Sequence, residues 1–423
     1  MKIKITALML AAAIAAGGAY AQDKATLDLL VSKGVITKED AAKISKPALA
    51  ISAKEKTTKK LTFSGRLQGQ YQFINAEDGS GAASAESKNG FQLRRIYLGV
   101  KADIGNGFYG TITADFAKTA ANGANYLEEA FLTKKVDLDY LTGDLNVGYG
   151  KINFGYEEKQ SSAKLLTIER SIATRYFMES QKSGSGNIGF GSHYTGAWWD
   201  GTVRQIDGLE YSLAVTNSQN YTLAPGGDSN SVNVFGSVAY KGKADIGSGL
   251  GYKAGVNLGY GPSANASSVL GGPENGEIFG VNPYVELSYG GFSMWADFLM
   301  ANVQYGKRVS GALADATPMG FNVAAEYKFD IGEYGALAPT VRYSWLDTDG
   351  RGAAVGDTIS KGPKLGGLFN AAQSVYVGLN WYIMGNSAKI QAGYEWAQFN
   401  DRVSGAVDRV DVNAMRVQMQ VLF

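Results

Sequence analysis

The chain has 423 residues, with 55 glycines, only 8 prolines and no cysteine. Disulfides, cysteine–zinc sites and thiol nucleophiles are excluded, and scarce proline suits extended strands that need every backbone donor. The formal net charge is +1 with no clustered basic excess, which argues against a nucleic-acid partner.

Residues 1–21 read as a secretory signal peptide. Lys2 and Lys4 precede an apolar run from Ile5 to Ala16, and Ala19-Tyr20-Ala21 forms an A-x-A cleavage site. Residues 22–45 are expected to form a short helical stub, either a periplasmic one that helps oligomerise the protein or a small hairpin packed on a neighbouring part. Leu27, Leu30 and Val31 make its stripe, Gly34 ends the first helix, and Thr37 with Asp40 opens a second turn. Residues 46–60 are a basic linker. After the leader no apolar run is long enough for a spanning helix.

Alternation begins at Leu61 and continues to Phe423. Leu61, Phe63, Leu67, Tyr71 and Phe73 oppose Ser64, Arg66, Gln68, Gln70 and Gln72. At the far end Met415, Val417, Met419, Val421 and Phe423 oppose Ala414, Arg416, Gln418 and Gln420. Successive side chains on a strand point to opposite faces, so each segment has an apolar face and a polar one. The expected strands are 61–74, 90–104, 107–118, 125–136, 143–153, 186–199, 208–217, 231–244, 249–260, 277–289, 291–304, 317–330, 334–347, 371–384, 387–399 and 408–423. Short links at 105–106, 137–142, 200–207, 245–248, 290, 331–333 and 385–386 alternate with long ones. The long ones are 75–89, 119–124, 154–185, 218–230, 261–276, 305–316, 348–370 and 400–407. Three short links open alike, with Asp103-Ile104-Gly105, Asp245-Ile246-Gly247 and Asp330-Ile331-Gly332. Sixteen strands with one short-turn rim and one long-loop rim predict a closed antiparallel transmembrane β-barrel over residues 61–423.

The polar parity assigns Arg66, Arg95, Lys101, Asp115, Arg342, Lys389 and Arg416 to the lumen, with both signs interspersed. Arg94 falls on the lipid parity, which means either an interfacial position or a bulge in its strand. His193 is the one histidine and reads as a polar lumen residue. Glu128 and Glu129 are adjacent on a strand and are expected to point to opposite faces, which makes them poor acid/base partners. The glycines of 184–191 read as turn glycines. No nucleophile with a histidine and an orienting group can be assembled, so neither catalysis nor a cofactor or metal is expected.

The link 154–185 is too apolar to stand in water. Leu165, Leu166, Ile168, Ile172, Tyr176, Phe177 and Met178 recur with partly helical spacing. The expectation is a loop folded into the barrel, its apolar side on the inner wall. Glu169, Arg170, Arg175 and Lys182 would then face the solute path as a constriction. The alternative is a latch over a neighbouring protomer.

Phe91-Gln92-Leu93-Arg94-Arg95 running into Leu98-Gly99-Val100-Lys101 resembles the "LRRARLGVKG" second strand of phosphate-selective porin O and P type proteins. Leu145-Asn146-Val147-Gly148-Tyr149-Gly150-Lys151 is similar to that family's "VGQFK" strand, with Tyr-Gly where Gln-Phe is common. Ser161-Ser162 and Glu169-Arg170 match the Ser and Glu-Arg positions of the loop that follows. The leucine-rich stub also occurs in some members. The resemblance spans most of the chain, with its sharp motifs between residues 91 and 170. It implies a sixteen-stranded, homotrimeric porin in the outer membrane of a Gram-negative bacterium.

The implied activity is passive diffusion of small hydrophilic solutes and ions through a polar lumen, with outer-membrane lipid around the wall. One alternative is a phosphate- or other anion-selective channel carrying inorganic anions. The other is a structural or adhesive envelope barrel plugged by its own loops.

Overall fold

The computed structural model describes residues 58–79, 85–117, 126–179, 186–221, 223, 231–247, 249–264, 276–363, 367–405 and 407–423. The expected leader, the stub and residues 46–57 of the linker lie outside the described residues.

The described chain is almost entirely strand. In order come β1 (Lys60–Asp78), β2 (Ala85–Gly105), β3 (Phe108–Asp115), β4 (Leu127–Asp137) and β5 (Leu141–Lys151). A long loop carries two helices, α1 (Tyr156–Lys159) and α2 (Ile172–Met178). Then follow β6 (His193–Val203), β7 (Leu209–Asn217), β8 (Val232–Ala244), β9 (Leu250–Ala264), β10 (Gly276–Tyr289) and β11 (Phe292–Val309). Next are β12 (Ala312–Ala316), β13 (Met319–Tyr327), β14 (Phe329–Asp330) and β15 (Ala336–Asp347). After α3 (Val355–Thr358) come β16 (Leu368–Asn386), β17 (Ala388–Ser404) and β18 (Val410–Leu422).

Every strand pairs antiparallel with its neighbours, and β1 pairs with both β2 and β18, which closes the sheet. The segments β12, β13 and β14 are one wall strand with two interruptions. Both β12 and β13 pair with β11, while β13 and β14 pair with β15. The first break holds Pro318, which has no N–H to give the ladder. The wall therefore has sixteen strands, as the alternation predicts.

The apolar parity is on the outside. Phe63, Leu67, Phe91, Leu98, Ile112, Leu132 and Val147 are exposed, and the aromatic residues Tyr126, Phe108 and Phe423 stand near the strand ends. Closure leaves no free edge, the condition for strands to sit in lipid with every backbone group paired.

Three expectations are corrected by the geometry. The link 305–316 is not a loop: β11 and β12 continue the hairpin to a two-residue turn at Ser310–Gly311, both with positive φ. The lipid face has ended there, so alternation no longer marks the strand. The segment 186–192 is not yet wall. Its amides at Ile188 and Phe190 donate to Tyr176 and Phe177 at 3.0 and 2.9 Å, so its apolar alternation packs on α2 inside the barrel. The third correction concerns the opposite faces expected of Glu128 and Glu129, while for Arg94 the bulge is the alternative that holds. The β1–β2 register shifts between Gln68 and Gly69, whose partners are Arg95 and Leu93, so Arg94 is the extra residue of a bulge. The β3–β4 register shifts between Thr113 and Ala114, whose partners are Glu129 and Leu127, so Glu128 is skipped in the same way. A bulge re-aims a side chain. Arg94 with Arg95, and Glu128 with Glu129, therefore turn inward as adjacent pairs.

Candidate functional site

The site is the lumen, narrowed by the loop between β5 and β6. Ser171 caps α2, its Oγ accepting from the Thr174 amide at 3.1 Å. Every residue of α2 is buried, because the helix lies inside the barrel with protein around it. Ile172, Ala173, Tyr176, Phe177 and Met178 join Phe154, Ile188 and Phe190 in one apolar cluster with wall residues such as Leu299 and Leu346. Each large side chain buried this way contributes roughly 1.5–3 kcal/mol. The wall makes room by omitting side chains. A Cβ at Gly280 would stand 2.6 Å from Phe154 Cζ, one at Gly259 2.7 Å from Phe190 Cε1, and one at Gly320 2.7 Å from Ala173 Cβ.

Polar wall residues hold the rest of the loop by its carbonyls. Asn380 Nδ2 donates to Leu166 O at 2.8 Å, Lys389 Nζ to Leu165 O at 3.1 Å, and Gln420 Nε2 to Ala163 O at 3.2 Å. Arg342 reaches Glu169 O at 2.6 Å and the Thr167 hydroxyl at 2.9 Å, and pairs with Glu395 at 2.7 Å. Arg416 pairs with the other Glu395 oxygen at 3.1 Å. Arg66 spans from β1 to the hydroxyls of Ser162 and Ser161 at 2.6 and 3.0 Å.

The charges expected on the water side of the loop mostly hold it in place. Glu169 is 3% exposed and takes a bidentate pair from Arg94 at 2.7 and 3.0 Å. Burial alone would raise its carboxyl, but Arg94 beside it holds it well below the usual range. Arg170 is partly buried, 2.8 Å from Glu158 Oε2, and also donates to the carbonyls of Glu158 and Gln160. Glu158 would be raised by burial, yet Arg170 and Lys151 outweigh that and hold it at about 2. Arg175 is 9% exposed, paired with Glu179 and donating to Asp357 O. Lys182 lies outside the described residues. Of the expected lumen residues, Arg66 and Lys101 line open space. Arg95, Arg342, Lys389 and Arg416 point inward but are buried. Asp115 is also buried, its Oδ1 accepting from the amides of Ile96 and Ala117.

The open lumen on the short-turn side comprises two adjoining cavities of about 800 and 700 Å3. One wall of the second is basic, with Arg66 and Lys101 on β1 and β2. The strands that follow carry both signs, with Glu128, Glu129 and Lys135 on β4, Asp144 and Lys151 on β5 and Asp200 on β6. Both glutamates reach this cavity only because of the β4 bulge. Lys159 of α1 borders both cavities.

His193 faces the same space, its Nε2 3.6 Å from Glu128 and its Nδ1 3.1 Å from Ser192 Oγ. Parity hides this grouping, because it sets Glu128 and Glu129 on opposite faces and does not register the bulge. Ser192 is fully buried, donates to Glu158 at 2.8 Å and accepts from Tyr221 at 2.8 Å. Its hydroxyl is engaged and out of reach of a substrate carbonyl, so the trio reads as wall structure.

The family model for phosphate-selective porin O and P matches residues 62–423. No curated protein matches the chain. Among solved structures, the chain is similar to an anion-selective porin from Comamonas acidovorans at 13% identity and TM-score 0.55, covering 86% of this chain and 99% of that one. It is similar to Salmonella typhi OmpF in complex with daunomycin at 17% identity and TM-score 0.53, covering 86% and 98%. It is also similar to Pseudomonas putida OprB at 10% identity and TM-score 0.55, covering 86% and 94%. At these identities the likeness is one of fold.

Proposed function

Because the chain belongs to the phosphate-selective porin O and P family, we propose that it works as a passive diffusion channel for small hydrophilic solutes and ions, as a homotrimer in a Gram-negative outer membrane. Residues 1–21 would direct its export, and residues 22–45 would stand in the periplasm.

The observation that carries this reading is a lumen lined by charges of both signs. Arg66, Lys101, Lys135, Lys151 and Lys159 line the same cavity as Glu128, Glu129, Asp144 and Asp200. Fields in a narrow, partly desolvated passage are screened less than in bulk water. A lining of interspersed opposite charges favours polar solutes, which can orient against it, over apolar ones, which would displace oriented water. It does not concentrate one sign of charge along the path, as a strongly anion-selective channel would require.

Planar-bilayer recording tests it. The expected result is an ohmic conductance with weak ion preference, with solute entry into liposomes falling as solute size rises. A conductance that saturates at low anion concentration would favour the anion-selective alternative. Folded protein without any conductance would favour the plugged structural barrel.

A further inference from the structure

The link between β15 and β16 also folds into the barrel, which the sequence did not reveal. Val355 and Ile359 are buried in the apolar cluster that includes Tyr176 and Phe177. Four cations fasten the segment. Arg351, fully buried, donates from Nε to Gly186 O at 3.1 Å and from Nη1 to Gly306 O at 3.1 Å. Arg175 donates to Asp357 O at 3.2 Å, Arg416 to Ser360 O at 3.0 Å, and Lys88 to Gly362 O at 2.9 Å. The segment thus holds the return limb of the first loop at Gly186 and the α2 face at Arg175.

One residue in this packed stretch is turned out. Ile359, Ser360, Gly362 and Pro363 are buried, while Lys361 between them is exposed. Its φ of 59° is left-handed, a conformation that L-residues rarely adopt. Lys361 makes no ion pair with the described residues, unlike Arg94 and Arg175, whose charges are matched by Glu169 and Glu179. Burial, and then the nearby Arg94 and Arg175, lower its ammonium pKa despite Glu169 and Glu179. An exposed cation without an ion-pair partner attracts a mobile anion that approaches it.

We infer that the inward-folded segment 348–363 is a second constriction element on the long-loop side, and that Lys361 is its specificity-determining residue, drawing small anions into the mouth. This rests on the diffusion-channel reading and adds an ion preference set at the entrance, apart from the balanced lumen beyond.

The test is the zero-current potential of the full-length protein in a potassium chloride gradient at low ionic strength. Asparagine tolerates left-handed backbone, so Lys361→Asn removes the charge without forcing the turn. The expected anion-to-cation permeability ratio falls about threefold in Lys361→Asn, as for one charge lost several ångströms from the path. It should fall further in Lys361→Glu and recover in Lys361→Arg. The differences should vanish near 1 M salt, where the Debye length shrinks to about 3 Å. A merely structural role predicts changed conductance or open-channel noise with an unchanged ratio, and that result overturns the inference. If Lys361→Asn does not insert, the comparison of Lys361→Arg with Lys361→Gly serves instead, with equal ratios overturning it. Absence of single-channel steps from the wild-type protein would instead overturn the channel reading.

Discussion

Arg342 is 1% exposed, and its guanidinium is engaged by Glu395, Thr167 and the Glu169 carbonyl. Arg416 completes the group from the far side of Glu395. Breaking a buried pair from one side leaves an uncompensated charge, which costs about 3–5 kcal/mol. Arg342→Met should therefore lower the melting temperature of the detergent-solubilised barrel and make single channels flicker, because Thr167 and the Glu169 carbonyl lose their donor. Quiet channels of wild-type conductance would show that the loop does not depend on this contact. A second expectation concerns acid. Glu158 is held at about 2 in the folded protein, and Glu169 is also lowered. A depressed folded pKa contributes stability that is present above the unfolded value of about 4.3 and is lost as pH falls through the folded value. The loop should stay docked at pH 4 and loosen only as pH nears 2. Conductance recorded across that range would count against these pairs if it stepped up at pH 4–5.

At the scale of elements, the strands were readable because lipid on one side and water on the other enforce a period of two. Where that asymmetry ends, so did the reading. The β11–β12 hairpin rises past the apolar band and has no alternation to find. The alternation in 186–192 is real but serves the interior of the barrel. Bulges are invisible to parity, which leaves Arg94 between an interfacial position and a bulge and sets Glu128 and Glu129 on opposite faces. The loop carrying α2 was recognisable from its apolar residues, while the segment with α3 was not, since Val355 and Ile359 are too few to make a stripe. The receiving glycines of the wall were also overlooked, as a glycine on the polar parity carries no hydropathy signal. They supply the test at this scale. Gly280→Leu puts a side chain where Phe154 lies, and overpacking of this kind costs typically 1–3 kcal/mol. The barrel should still insert, with the loop displaced and single-channel conductance raised. Unchanged conductance in inserted protein would mean the loop does not set the narrowest point.

For the whole molecule, the claim to test is that one face of the closed sheet meets lipid and the other water. The two faces are not simply permissive inside and intolerant outside. Asn380 faces inward but holds Leu166 O, and Gln418 is buried against Gln391, so a charge at either would disturb the loop. A fair comparison needs neighbouring positions, one on lipid and one on open water. On β3, Ile112 is 59% exposed on the outer face, and Thr113 lines the water-filled cavity beside Arg66 and Glu129. They differ by one step along the same strand, so turn geometry and strand pairing are held nearly constant. Lysine on the lipid face near the bilayer midplane costs roughly 2–4 kcal/mol, falling toward zero at the interfaces. The same lysine in the lumen keeps its hydration and gains the Glu129 carboxylate on the neighbouring strand. Ile112→Lys should therefore reduce the folded fraction scored by heat-modifiable migration on gels. Thr113→Lys should insert as wild type and move the ion preference toward anions. Equal insertion of both, or the reverse order, would contradict the assignment of faces on which the barrel rests.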